Sequence, residues 1–217
     1  MHPLIAAFRA WRSYRGAGVR TRAFLAARLA VLPLRSLARE YSQFHGRVLG
    51  IGSGHGLLAR WVAELNPDVT VDGYDVDAER VAIAQATQAR APRARIHLQD
   101  VRTLDAQAQF DAASAVDVVH HIPEQDHAAL FAALARALKP GGTLLIKEIS
   151  PHPGWKHRVN QAHDHVVSGQ ETHAREPADL AAAVEAAGFR IERLYSAAAL
   201  SPYPHFILRA RRAQDQR

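Results

Sequence analysis

Apolar residues fall in two rhythms along the 217-residue chain. From residue 46 onward, short apolar runs alternate with segments in which apolar residues recur every three or four positions. The first rhythm marks buried strands and the second amphipathic helices. The pattern predicts strands over residues 47–51, 69–75, 94–98, 110–116, 143–149, 189–195 and 205–211. It predicts helices over 56–65, 77–90, 124–138 and 177–187. Leu130, Leu134 and Leu138 form a buried stripe on the third helix, and Lys139-Pro140-Gly141-Gly142 is read as its stop. Residues 4–39 read as one or two helices, broken at Gly16-Ala17-Gly18 and kinked near Pro33. Alternating strands and helices imply an α/β, doubly wound, mostly parallel sheet of seven strands. Only Ser196 to Pro204 separates the last two strands, which should pair as an antiparallel hairpin at the sheet edge.

Composition adds bounds. A hydrophobic content of 48% and a charged content of 22% are those of a globular chain with a full core. There is no cysteine, which removes disulfides, thiolate metal sites and a cysteine nucleophile, and argues against cytosine-C5 methylation. No H-E-x-x-H accompanies the 13 histidines, and no metal is expected. Arginines scattered through the N-terminus argue against a signal peptide, and no apolar run approaches the ~20 residues of a spanning helix. The cytoplasm is the expected compartment. The net charge of +6 is unevenly spread: residues 1–39 hold eight arginines and no acid, while the rest carries a net −2. That divides the chain into a basic N-terminal helical arm, 1–39, and a domain, 40–217, interrupted by an insertion at 151–176 that is expected to form a lid over the substrate. Only three of the 27 basic residues are lysine, a coding bias of GC-rich bacterial genomes.

The chemistry concentrates in Val48-Leu49-Gly50-Ile51-Gly52-Ser53-Gly54-His55-Gly56. Glycines at alternate positions between a strand and a helix let a ligand lie against bare backbone, beside the free N–H groups of the helix start. The dinucleotide fingerprint G-x-G-x-x-G would need glycine at 55 or 57, where the chain has His55 and Leu57, so a nicotinamide cofactor is disfavoured. The alternating pattern resembles motif I of the class I S-adenosylmethionine (SAM) dependent methyltransferases, whose sheet is Rossmann-like. Their later motifs have counterparts here. Val71-Asp72-Gly73-Tyr74-Asp75 supplies an acid, Asp75, at the end of the second strand for the ribose diol, with Val76 after it. Leu98-Gln99-Asp100-Val101 supplies Asp100 for the adenine amino group, with Val101 beside it. The segments Phe110 to Pro123 and Leu138 to Ile146 are similar to the family's fourth strand and its turn into the fifth. The resemblance covers residues 46 to 149 and implies a SAM site made of Gly50, Gly52, Ser53, Gly54, Gly56, Asp75, Val76, Asp100, Val101 and Val116. One departure is Gly50, where the family usually has an acid. It leaves open weaker cofactor binding, a substitute acid, or a non-catalytic SAM-binding scaffold.

The acceptor is expected to be small, aromatic or lipophilic, and methylated at oxygen or carbon. The Asn/Asp-Pro-Pro-aromatic run of adenine-N6 enzymes is missing: its place holds Ala115-Val116-Asp117-Val118. A phenol, with a pKa near ~10, must lose its proton during attack, and a histidine near ~6.5 can take it. His120 and His121 after the fourth strand, and His163 paired with Asp164, are the candidates. In the insertion, a helix over 155–167 would align Lys156, Asn160, His163 and Asp164 near Trp155. This segment and Pro202-Tyr203-Pro204-His205 resemble a bacterial subgroup associated with aryl polyene pigments and other lipid-like products. That implies an aromatic head group on a carrier- or membrane-bound intermediate.

Three readings of the arm stay open. Arg28, Arg35 and Arg39, with Phe24, Leu25, Leu29, Val31 and Leu32, would make a basic amphipathic helix for peripheral contact with the inner membrane. The same arginines could neutralise RNA phosphates, as in an RNA methyltransferase. Alternatively, the arm caps the sheet and its pocket.

Overall fold

The computed structural model describes residues 1–151, 175–197 and 204–214. In chain order its elements are α1 (Pro3–Arg12), α2 (Val19–Val31), α3 (Leu34–Tyr41), β1 (Gly46–Ile51), α4 (Leu57–Leu65), β2 (Val69–Asp75), α5 (Ala78–Ala86), β3 (Ala94–Leu98), β4 (Phe110–Val116), α6 (His127–Ala137), β5 (Leu138–Ile149), α7 (Pro177–Ala186), β6 (Phe189–Ser196) and β7 (His205–Arg212). The strands form one seven-stranded sheet in the order β3-β2-β1-β4-β5-β7-β6. The first five are parallel, and β7 runs antiparallel to both β5 and β6. The expected α/β architecture and its terminal hairpin are therefore present.

The alternation of side chains explains why the central strands carry near-continuous apolar runs. Val48, Ala112, Leu145 and Ile207 point to one face, into a core shared with the helices α1 to α5. Their chain neighbours Leu49, Ala113, Leu144, Ile146 and Leu208 point to the other, into a core with α6 and α7. A strand buried on both faces has no polar side to spare.

Three local expectations need correction. Residues 4–39 form three helices, because both Gly16 to Gly18 and Pro33 interrupt them. The helix expected at 77–90 ends at Ala86 and is followed by a single turn at Gln88–Arg90; Asp77 caps it by accepting from the Arg80 amide at 3.0 Å. The helix expected at 124–138 spans His127–Ala137 after a single turn at Glu124–Asp126, and Leu138 already belongs to β5. Phe110 sits opposite Leu138, but Ala112 sits opposite Thr143. Lys139 to Gly142 therefore bulge out of the ladder instead of forming a separate turn, with Gly141 at φ +74°.

The arm is packed into the body. Tyr14, Leu25, Leu37 and Tyr41 belong to the same core as Val48 and Leu57. The Arg60 guanidinium, buried in α4, lies 4.2 Å from the Tyr14 ring centroid and donates to Ser13 Oγ at 2.8 Å and the Ala84 carbonyl at 2.7 Å. At the other end of the arm, the fully buried Glu40 accepts from Tyr195 Oη at 2.8 Å and Arg209 at 3.2 Å. Removing one partner strands the other in a dry site. Glu40→Ala should thus cost about 3 kcal/mol of unfolding free energy, read from urea melts; a loss below about 1 kcal/mol would show that Arg209 is held by Glu192 alone. No helix among the described residues is long and apolar enough to cross a membrane.

Candidate active site

The strand order reverses between β1 and β4, and at that point loops from neighbouring strands diverge to leave a crevice at their carboxyl ends. A cavity of about 380 Å³ opens there. One wall is the glycine loop after β1. Gly52 has φ +61°, and a Cβ on it would overlap the Val118 side chain from the loop after β4, so glycine is required on both counts. Gly54, at φ +49°, is less crowded, and a Cβ on it would make ordinary contact with Arg80 Cδ at 3.6 Å. That bare backbone faces the cavity.

Asp75 closes the loop from β2. Its Oδ2 accepts from the Gly54 amide at 2.6 Å and its Oδ1 from the Asp77 amide at 2.9 Å. Each carboxylate oxygen keeps a further lone pair for a ligand hydroxyl. Val76, 70% exposed, offers an apolar surface beside it. Asp100 and Val101 line the same wall from the end of β3. The Arg102 guanidinium, in contact with both Asp100 oxygens, holds that carboxyl below the usual carboxylate range. Gly50, Ser53 and Val116 complete the lining, whereas Gly56 lies off it, pressed so close to Ile96 that a Cβ would come within 2.7 Å. The space an acid at 50 would use is occupied by Ser53: a Cβ on Gly50 would meet Ser53 Oγ at 2.8 Å. A left-handed glycine backbone, a carboxylate at the end of β2 and an apolar neighbour fit the ribose and adenine of SAM.

The arm supplies the opposite wall through Phe24, Leu25, Arg28 and Leu32. Burial pushes the Tyr14 hydroxyl far up, so it stays protonated and donates to the His55 carbonyl in the glycine loop at 2.5 Å. The Phe24 ring lies 5.6 Å from the His55 ring. Of the three readings of the arm, the cap describes α2: Leu25 and Leu32 are buried and Arg28 turns inward.

Arg28 reaches Asp117 Oδ2 at 3.3 Å, and Lys147, fully buried on β5, donates to Asp117 Oδ1. Asp117 has φ +53°, an uncommon conformation for a residue other than glycine. Burial alone would raise its carboxyl, but Lys147 and Arg28 outweigh that and hold it well below the usual range. Burial, then Lys147, pushes the neighbouring His205 down to about 4, so at neutral pH it is uncharged. Its Nε2 lies 3.3 Å from the Val31 carbonyl at the end of α2. α2 is thus tied to the sheet side of the cavity at two points. Sequence reasoning missed Arg28, Phe24 and His55 as part of the cavity.

The two adjacent histidines part ways. His121 lines the cavity. His120 is buried, with Nδ1 at 2.5 Å from Glu148 Oε2. Glu148 Oε1 accepts from the Val118 and Val119 amides at 2.9 and 2.7 Å. His120 therefore helps to hold the carboxylate that shapes the turn carrying His121, and does not line the cavity itself. His163 and Asp164, like Trp155, Lys156 and Asn160, lie outside the described residues.

Residues 20–194 match the family described as Methyltransferase domain. Among curated relatives, the ubiquinone biosynthesis O-methyltransferase of Xanthomonas campestris is 34% identical over 110 residues, 49% of this chain and 44% of that protein. The cyclopropane-fatty-acyl-phospholipid synthase of Escherichia coli is 38% identical over 103 residues, 48% of this chain and 26% of that one. The chain spans less than half the length of these relatives. Among solved structures, a SAM-dependent methyltransferase of Mesorhizobium loti aligns over 83% of this chain and 98% of its own at TM-score 0.66 and 22% identity. The [4+2]-cyclase SpnF aligns over 84% and 80% at TM-score 0.67 and 21% identity. Likenesses at that identity show the fold, and a cyclase among them is a reminder that fold does not set the reaction. The family match decides it: this chain belongs to the methyltransferase-domain family and has the fold of SAM-dependent methyltransferases.

Proposed function

We propose that this enzyme methylates a small aromatic or lipophilic acceptor, at oxygen or carbon, under the lid formed by α2. The observation that carries the reading is the composition of the wall facing the glycine loop. Phe24, Leu25 and Leu32 from the arm and Ile122 and Pro123 from the turn after β4 are apolar, with His121 among them. Such a wall takes an aromatic ring or an acyl chain and gives a polar polymer little to hold. The relatives' names support it, one speaking of ubiquinone biosynthesis and the other of fatty-acyl phospholipid. A carrier-bound intermediate of bacterial secondary metabolism, as the aryl polyene resemblance implies, has the same chemistry.

When bound, SAM supplies a methyl group activated on a sulfonium. The protein's part is to orient, exclude water and manage one proton. Asp75 and the glycine loop fix one end of the cavity. Leu25 and Leu32 keep water from the other, and the Arg28–Asp117 contact holds α2 closed over it. His121 accepts the proton of a phenolic acceptor as the carbon–oxygen bond forms.

Labelled SAM with a panel of small phenols and lipid-like acceptors tests this. A phenol should be methylated, and His121→Ala should lower kcat by about 10²–10³-fold with S-adenosylhomocysteine (SAH) affinity unchanged. Turnover on RNA with none on small acceptors would overturn the reading in favour of an RNA methyltransferase. An unchanged kcat in His121→Ala would remove that residue as the base.

A further inference from the structure

α1 is amphipathic the wrong way round for a helix that only caps a core. It buries Ala6, Ala7 and Ala10 against the body. Apart from Trp11, which packs against the core, its large apolar residues face solvent: Leu4 is 61% exposed, Ile5 52% and Phe8 54%, with Met1 at 52% before them. At ~100° per residue, Leu4 and Phe8 stack one turn apart and Ile5 flanks them, so they form one patch. Past the turn at Gly16 to Gly18, Val19 is 84% exposed. Exposed arginines Arg12, Arg15 and Arg20 lie along the same stretch, beside Arg9, which pairs with Glu64 at 3.8 Å, and the Arg12 guanidinium sits 5.6 Å over the Phe8 ring. No acid occurs before Glu40.

We propose that this face of α1 docks the enzyme on an anionic lipid bilayer. Apolar side chains ringed by arginine match such a surface: the chains enter the acyl boundary while the guanidinium groups meet the phosphates. Charge argues against a second copy of this chain, because self-pairing the patch would set Arg12, Arg15 and Arg20 against their own equivalents. Leu4 and Ile5 argue against RNA, since aliphatic side chains offer bases no stacking surface. The face is distinct from the one expected on α2, which is turned into the body. α1 is tied to the lid, with Trp11 Nε1 donating to the Arg22 carbonyl at 3.0 Å, so docking it sets the lid side of the cavity close to the bilayer.

The test is sedimentation of the full chain with vesicles of phosphatidylcholine alone or mixed equally with phosphatidylglycerol. The protein should bind the anionic vesicles, weakly bind the neutral ones, and lose affinity as salt rises. The double variant Leu4→Asp, Phe8→Asp should bind about tenfold or more weakly, with its melting temperature and SAH affinity unchanged. Arg12→Glu with Arg15→Glu should weaken binding to the anionic vesicles and leave the neutral ones unaffected. Equal binding by wild type and the double variant, or none to anionic vesicles, would overturn the proposal. So would a dimer that dissociates in the double variant, or RNA retention lost in it. SAH titration of the same samples reports on the cofactor site separately.

Discussion

Asp75→Ala should weaken SAH binding roughly a hundredfold, about 3 kcal/mol. The carboxylate has two duties. In the proposed site it takes the ribose hydroxyls as charge-assisted hydrogen bonds, and it holds the Gly54 and Asp77 amides at 2.6 and 2.9 Å. Asp75→Asn separates them: the amide oxygen can still accept one backbone hydrogen, but the charge is gone. It should bind SAH with intermediate affinity. Calorimetry beside circular dichroism reads both, with NADH as the control ligand. A folded Asp75→Ala protein that binds SAH as tightly as wild type would show that the ribose does not rest there.

Glu148→Ala should be the most damaging single change to the fold, costing about 3–5 kcal/mol. The carboxylate is buried and satisfies the Val118 amide, the Val119 amide and His120 together. Its loss takes the acceptor from two backbone donors and removes the carboxylate beside the His120 imidazole, in the turn that presents His121. Burial alone would raise its pKa, but His120 beside it outweighs that and holds it below the ordinary value. A carboxylate depressed in the folded state stabilises fully above its unfolded pKa and loses that contribution as pH falls through the folded one. Wild-type stability should therefore drop below about pH 4.5, and the Glu148→Ala variant should show a shallower drop. Parallel urea midpoints with an unchanged acid slope would contradict this. Glu148→Gln, whose remaining oxygen can still accept from both amides while its NH2 replaces the oxygen facing His120, should fall between.

The sheet was legible because both of its faces are buried: runs such as Val48 to Ile51 and Leu144 to Ile149 have no other use. The glycine loop was legible because its spacing excludes one ligand class and fits another. What escaped was set by contacts between distant residues. Arg28 meets Asp117 across 89 positions, and nothing in the arm's basic pattern tells it from Arg35 and Arg39. His120 and His121 are equivalent as letters. The left-handed Asp117 and the pull of Glu148 on the following amides decide which imidazole faces the cavity. The bulge after Leu138 escaped because Lys-Pro-Gly-Gly reads locally as a stop. The ladder resumes beyond it because Thr143 still finds Ala112. α1 inverted the usual rule, hiding its alanines and showing its leucine and phenylalanine.

The most direct measurement is a crystal structure of the complex with SAH. One cavity should serve both ends of the reaction. The ribose hydroxyls should rest on Asp75, the adenine should lie beside Val76, Asp100 and Val101, and the sulfur should open toward His121 beneath Phe24 and Arg28. A sulfur turned away from His121, or a ligand bound outside the glycine-loop crevice, would contradict the assignment of the α2-covered space to the acceptor.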